Sequence, residues 1–244
     1  MTDIQMYLVG GAVRDELLGL PSKDLDYTVT VDGVGTVEDA WDAMRDHLSS
    51  EGFHIFLETP EYQTIRAKFP KGHEHEKITA DFVLARKEGP YSDGRRPDWV
   101  KPGTLEDDLR RRDFTVNALA KAEDGTIIDL FGGQDDLSRM ILRAVGDPKD
   151  RLLEDPLRAY RALRFAITKG FKIDYLLRVA MRTVSILDKM ESSVAAERIK
   201  DELHRAFAHD PTGTILMLAN EYPYLLGIME RKGIWLRPTL EKRK

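Results

Sequence analysis

The chain has 244 residues, 42% of them hydrophobic and 32% charged, with 18 Gly and 11 Pro, a profile that excludes disordered, collagen-like and membrane-embedded classes. It contains no cysteine, which excludes disulfides, thiolate zinc sites and cysteine nucleophiles. A net charge of −5 by itself argues weakly against a nucleic-acid partner, because phosphate binding draws on Lys and Arg.

The charge is unevenly spread. From Arg158 to Lys172 every charged residue is basic, and from Arg231 to Lys244 six basic residues face the single Glu241. No apolar run approaches the roughly 18 to 20 residues of a membrane helix. The start, MTDIQMYLVGG, lacks the pattern of a signal peptide. A cytoplasmic, membrane-free protein is expected.

Taken in chain order, Tyr7-Leu8-Val9 reads as an apolar strand, Gly10-Gly11 as a turn and 12–18 as a helix ended by Gly19 and Pro21. In 24–31, DLDYTVTV alternates strictly. Leu25, Tyr27, Val29 and Val31 share one face and Asp24, Asp26, Thr28 and Thr30 the other, as in a half-buried strand. Val37, Ala40, Trp41, Met44 and Leu48 follow helical spacing. Strands are expected at 53–57, 62–69 and 78–84, the last with Asp81 facing away from the core. Residues 86–105 carry Gly, Pro and charge without period and read as a loop. A short strand at 126–130 precedes helices near 134–140, 152–169, 174–189, 193–208 and 211–220.

Two carboxylates at i and i+2 on a strand, Asp24 and Asp26, project from one face and repel unless a cation lies between them. Asp81, on another strand, is a third candidate. A surface Asp-x-Asp is common, but here it follows Gly10-Gly11 between strand and helix, where a phosphate can approach backbone N–H groups, with Arg14 one turn later. Together these suggest a triphosphate grip beside a magnesium site. His73 and His75 lack a third ligand in view, and His209-Asp210 lacks the further partners a phosphohydrolase needs.

The stretch LVGGAVRDELLGLPSKDLDYTV resembles the head signature of class II tRNA nucleotidyltransferases and bacterial poly(A) polymerases, within the polymerase-beta-like superfamily. The resemblance continues through DFVLARKE, DLRRRDFTVNALA, IIDLFGGQDDLSRMILRAVGDP, EDPLRAYRALRF and ERIKDEL, covering roughly residues 6 to 208. It implies that Asp24 and Asp26 bind Mg2+, that Asp81 is the third acidic position, and that Gly10, Gly11, Arg14, Arg112, Asp113 and Asn117 contact nucleotide. Glu154, Asp155 and Arg158 resemble the family's protein template for the incoming base, with Arg161 reaching the triphosphate. As i and i+3 on one helix face, Asp155 and Arg158 would set an acceptor beside a donor, matching cytosine and adenine. The plain alternative is a surface ion pair. ERIKDEL, with Glu197 and Arg198, reads as structural.

The expected fold class is α+β: a nucleotidyltransferase head of small mixed sheet and helices over 1–136, an all-helical neck over 137–208 and a short helical remnant with basic C-terminus over 209–244. The implied activity is two-metal addition of CMP and AMP, from CTP and ATP, to an RNA 3′ end, foremost the CCA terminus of tRNA. The basic stretch at 158–172 and the basic C-terminus would hold RNA phosphates. Relatives commonly continue well past the last block, and a homodimer is one arrangement that would compensate. Poly(A) polymerase, partial CC- or A-adding enzyme, transfer to another RNA, and a non-catalytic nucleotide-binding module are the alternatives.

Overall fold

A computed structural model describes residues 3–22, 24–89 and 98–234. They fall into two compact units. The first begins with β1 (Asp3–Val9), α1 (Gly11–Leu17), β2 (Leu25–Asp32), α2 (Val37–Ser50), β3 (His54–Thr59), β4 (Thr64–Lys68) and β5 (Thr79–Leu84). It continues with β6 (Arg86–Glu88), β7 (Val100–Pro102), α3 (Leu105–Arg110), a 3-10 turn (Thr115–Asn117), β8 (Leu119–Lys121), β9 (Ile127–Asp129) and α4 (Gly133–Ser138). Seven strands form one sheet in the order β3-β4-β5-β2-β1-β8-β9. β2 and β5 are parallel and the other neighbours antiparallel.

Hydrophobic period decides the layers. α2 lays Trp41, Met44 and Leu48 on the face formed by Val29, Val31, Ile65 and Phe82, all buried. On the opposite face Val9, Ala118 and Ala120 meet Leu109 of α3 and Val145. β2 is therefore covered on both faces over part of its length, and Thr28 and Thr30 are as buried as their apolar neighbours. Asp26 near its start, Asp24 just before it and Asp32 at its end remain exposed. α3 starts with a capping box, in which Thr104 accepts from the Asp107 N–H and the Asp107 carboxylate accepts from the Thr104 N–H.

The loop expected at 86–105 contains order instead. Arg86–Glu88 pairs antiparallel with Val100–Pro102. Strands of three residues are too short to show a period-2 signature. Residues 90–97 of that loop, and the basic C-terminus from 235 on, lie outside the described residues.

The second unit is helical apart from the parallel pair β10 (Ile141–Leu142) and β11 (Lys172–Ile173). Its helices are α5 (Pro148–Glu154), α6 (Arg158–Lys169), α7 (Tyr175–Ala180), α8 (Val184–Ser193), α9 (Ala196–His209), α10 (Pro211–Leu216) and α11 (Pro223–Arg231), with a π-helical stretch at Met217–Glu221. α6 packs on α9. Tyr160 of α6 is buried and its hydroxyl donates to the Leu225 carbonyl at 2.6 Å. Two expected helices are each divided. The one expected at 152–169 breaks at Asp155–Leu157, where Pro156 lacks an N–H and drives the preceding residue to an extended conformation. The one expected at 174–189 breaks at Met181–Thr183. Among the described residues no helix is long and apolar enough to cross a membrane.

Candidate active site

Strand register builds the acidic corner. Asp26 of β2 lies opposite Val9 of β1 and opposite Asp81 of β5, and Asp81 lies opposite Arg66 of β4. Residues in register project to the same face, so Asp26, Asp81 and Arg66 form one row across the sheet. Asp24 stands two residues before Asp26 and shares its direction. The Asp24 and Asp26 carboxylates have no hydrogen bond or ion pair among the described residues. Desolvation by the surrounding protein raises the Asp26 pKa. Asp81 and Asp24 raise it further, while Arg112 and Arg66 oppose the shift.

Asp81 departs from expectation. Rather than joining the other two carboxylates as a third open ligand, it accepts from Arg66 Nε at 2.6 Å and Arg66 Nη2 at 2.7 Å. A guanidinium fork matches a carboxylate in this way, and the antiparallel register of β4 and β5 supplies it. Among the described residues no group of three or more acidic or imidazole side chains converges to hold a metal ion. The fit to a divalent cation rests on Asp24 and Asp26, two hard oxygen donors with no direct ion pair among the described residues, with water or phosphate oxygens needed to complete the shell.

Arg112 forms the wall beside this pair. Its Nη2 donates to Asp108 Oδ2 at 2.9 Å and to Thr28 Oγ1 at 3.4 Å, and its Nη1 to the Asn117 carbonyl at 3.4 Å. Asp108 is fully buried and also takes Thr28 Oγ1, at 2.8 Å, and Arg111 Nε, at 2.9 Å. Burial works against its charge, but Arg111 and Arg112 outweigh it and hold the carboxyl far below the usual range. Gly10 turns the chain from β1 into α1 at φ +69°, and a Cβ there would stand 2.6 Å from Arg112 Nη1. Only glycine allows that approach. The N–H of Gly10 donates to the Leu119 carbonyl, which leaves the first turn of α1, beginning at Gly11, as the source of backbone donors.

Arg14, expected as an open cation for phosphate, is buried instead. It donates to Asn117 Oδ1 and, at 2.9 Å, to Asp15 Oδ1. Asn117 in turn donates from Nδ2 to Asp113 Oδ1 at 2.9 Å, and the same oxygen takes the Phe114 N–H at 2.8 Å. Arg14, Asn117 and Asp113 thus form one buried chain that fixes the 3-10 turn. Thr115 of that turn donates to buried Asp136 of α4.

The second group of expected residues belongs to the helical unit. Asp155 lies outside α6, extended at φ −135° and ψ 99°, so the shared helix face with Arg158 does not exist. The Asp155 carboxylate accepts from Arg198 Nη2 at 2.7 Å and from the Leu157 N–H at 3.1 Å. Arg158 opens α6, and its Nη1 donates to Glu154 Oε2 at 3.0 Å and to the Arg151 carbonyl at 3.1 Å. Glu154 also accepts from Arg151 at 2.7 Å. Arg161 and Arg164 both turn to Glu202 of α9, which is buried. The basic stretch at 158–172 is therefore no open stripe, because Arg158, Arg161 and Arg164 have acidic partners inside the unit.

Sequence reasoning missed Asp108, Arg66 and Glu202 and assigned Arg198 a merely structural part. Asp108 left a signal, since it stands three and four residues before Arg111 and Arg112, the spacing of helical ion pairs. The partners Arg66 and Asp81, 15 residues apart, and Asp155 and Arg198, 43 apart, left none.

The chain is similar to known proteins in both sequence and fold. The poly A polymerase head domain family matches residues 6–143. A multifunctional CCA protein of Nitrosococcus oceani is 39% identical over 211 residues, covering 83% of this chain and 45% of that protein. A CCA-adding enzyme of Limosilactobacillus fermentum is 38% identical, covering 82% and 45%. Among solved structures, the Bacillus stearothermophilus CCA-adding enzyme in complex with CTP superposes with a TM-score of 0.71 at 29% identity, covering 94% of this chain and 52% of that one. A tRNA nucleotidyltransferase complexed with a primer tRNA and an incoming ATP analog gives 0.69 at 32% identity, covering 96% and 61%. This chain spans about half the length of the curated relatives it matches. With the head-domain match, the ordered motifs and the shared fold in agreement, the chain belongs to the class II tRNA nucleotidyltransferase and bacterial poly(A) polymerase family.

Proposed function

We propose that this protein transfers CMP and AMP from CTP and ATP to the 3′ end of an RNA, foremost the CCA terminus of tRNA. The observation that carries this reading is the pair of unpartnered carboxylates, Asp24 and Asp26, beside the Gly10–Arg112 corner. Mg2+ bound by the two carboxylates would supply the charge that acidifies the attacking 3′-hydroxyl and steadies the triphosphate as pyrophosphate leaves. Arg112, anchored by Asp108, offers a fixed positive charge toward phosphate oxygens. Asp113 and Asn117 present a carboxylate and an amide suited to ribose and phosphate, and Arg14 keeps them in place. No protein nucleophile takes part. The attacking oxygen comes from the RNA, and the chain contributes position and charge.

By family resemblance we assign base choice to Asp155 and Arg158, which share no helix face here and are engaged by Arg198 and Glu154, so each would exchange that partner for the base. An acceptor and a donor matched to cytosine and adenine leave guanine and uracil with unpaired polar groups, at about 1–3 kcal/mol each. The complexes of relatives with CTP, with an ATP analog and with primer tRNA support this substrate class. Product length provides the test. A tRNA transcript lacking CCA, incubated with labelled CTP alone, should gain two residues, and with both nucleotides should stop after one A. A long A tail from ATP alone would reassign the chain to poly(A) synthesis, and no incorporation by folded protein would refute transfer altogether.

A further inference from the structure

We propose that Arg66 sets how strongly the Asp24–Asp26 pair takes a divalent cation, by neutralising Asp81 and holding it out of the coordination set. This rests on the cation reading of that pair. Three carboxylates share the corner, and Arg66 is the cation paired to one of them through both oxygens. The register brings Arg66, Asp81 and Asp26 side by side on β4, β5 and β2.

The pair is too open to serve mainly as a staple. The Arg66 side chain is 45% exposed and that of Asp81 25% exposed, so solvent screens what even a two-pronged pair adds to stability. Its effect falls on the local field. Asp81, Asp26 and Asp24 all act electrostatically on Arg66 and favour its charged form. Paired with Arg66, Asp81 adds no net charge, and the two free carboxylates match one divalent cation. Without Arg66 the corner holds one more negative charge and one more oxygen donor. Without Asp81 it holds an unmatched guanidinium facing the cation. Arg112, the other cation acting on Asp26, is paired with Asp108 and not with Asp81. Arg66 is thus a positioning residue acting through Asp81.

The test is Mn2+ binding to the full chain in the absence of nucleotide, read by EPR, with thermal melts run in parallel. Arg66→Gln is expected to tighten binding on the order of fivefold and Asp81→Asn to weaken it by a similar factor. The double variant should return to within about twofold of wild type, because its charge again balances. Arg66→Lys, which keeps the charge without the fork, should fall between wild type and Arg66→Gln. The proposal is overturned if Arg66→Gln leaves affinity unchanged. It is equally overturned if Asp81→Asn and the double variant both lose binding as Asp26→Asn does, which would make Asp81 a direct ligand. If wild type binds Mn2+ no better than Asp26→Asn, the cation reading itself fails, an outcome distinct from failure of the Arg66 assignment.

Discussion

Asp26 of β2 and Asp108 of α3 answer burial in opposite ways. Asp26 sits in partly desolvated surroundings with two other carboxylates near it, so its ionised form is disfavoured in the fold. Asp26→Asn is therefore expected to raise the melting temperature of the metal-free protein slightly, with solvent on its open side limiting the gain; a clear drop in calorimetry would contradict the reading. Asp108 has its charge sustained by Arg111 and Arg112 although it is fully buried. Asp108→Asn should cost about 3–5 kcal/mol at neutral pH, since two guanidinium groups lose their counter-charge. Its depressed folded pKa gives a sign. The stabilisation is complete above the unfolded carboxyl pKa and is lost as pH falls toward the folded value, so the gap between wild type and variant in urea unfolding should narrow on acidification. The Asp24/Asp26 pair was legible in the sequence because alternation on one strand fixes its direction. The fate of Asp81 was not, because it depends on which residue of a different strand falls opposite.

Helix boundaries carried the largest departures at the scale of elements. Apolar spacing continues from 152 to 169, but Pro156 interrupts the backbone ladder and sets Asp155 in a bend that Arg198 of α9 can reach. A helical period reports which side chains are apolar and says little about a break shorter than one turn. If Arg198 holds Asp155 in place for base selection, Arg198→Ala should shift the ratio of CMP to AMP incorporation in the same direction as Asp155→Ala. Opposite or absent shifts, read from competition between the two nucleotides, would separate Asp155 from selection. α4 offers a steric counterpart. A Cβ on Gly133 would collide with the Thr115 carbonyl oxygen of the 3-10 turn. Gly133→Ala should accordingly destabilise by about 2 kcal/mol and lower incorporation through the displaced Asn117, with unchanged stability and activity as the contrary result. The β6–β7 ribbon escaped the sequence reading because each strand is only three residues long.

For the molecule as a whole, net charge misled and motif order did not. An acidic total of −5 says little about local charge, since Arg112 beside Asp26 is fixed by the buried carboxylate of Asp108, and the arginines of α6 are matched by Glu154 and Glu202. The order of the motifs held its meaning, since the head-domain family matches residues 6–143. The chain spans about half the length of its curated relatives, yet it contains both the carboxylate pair and the Asp155–Arg158 group. The proposed transfer rests on the first of these. Its most direct test is single-turnover extension of an end-labelled tRNA transcript lacking CCA, with CTP, ATP and Mg2+, by wild type and by folded Asp26→Asn. Wild type should extend the transcript and the variant should be slower by at least about a hundredfold, whereas extension by the variant at the wild-type rate would contradict the assignment of Asp24 and Asp26 as the centre of the reaction.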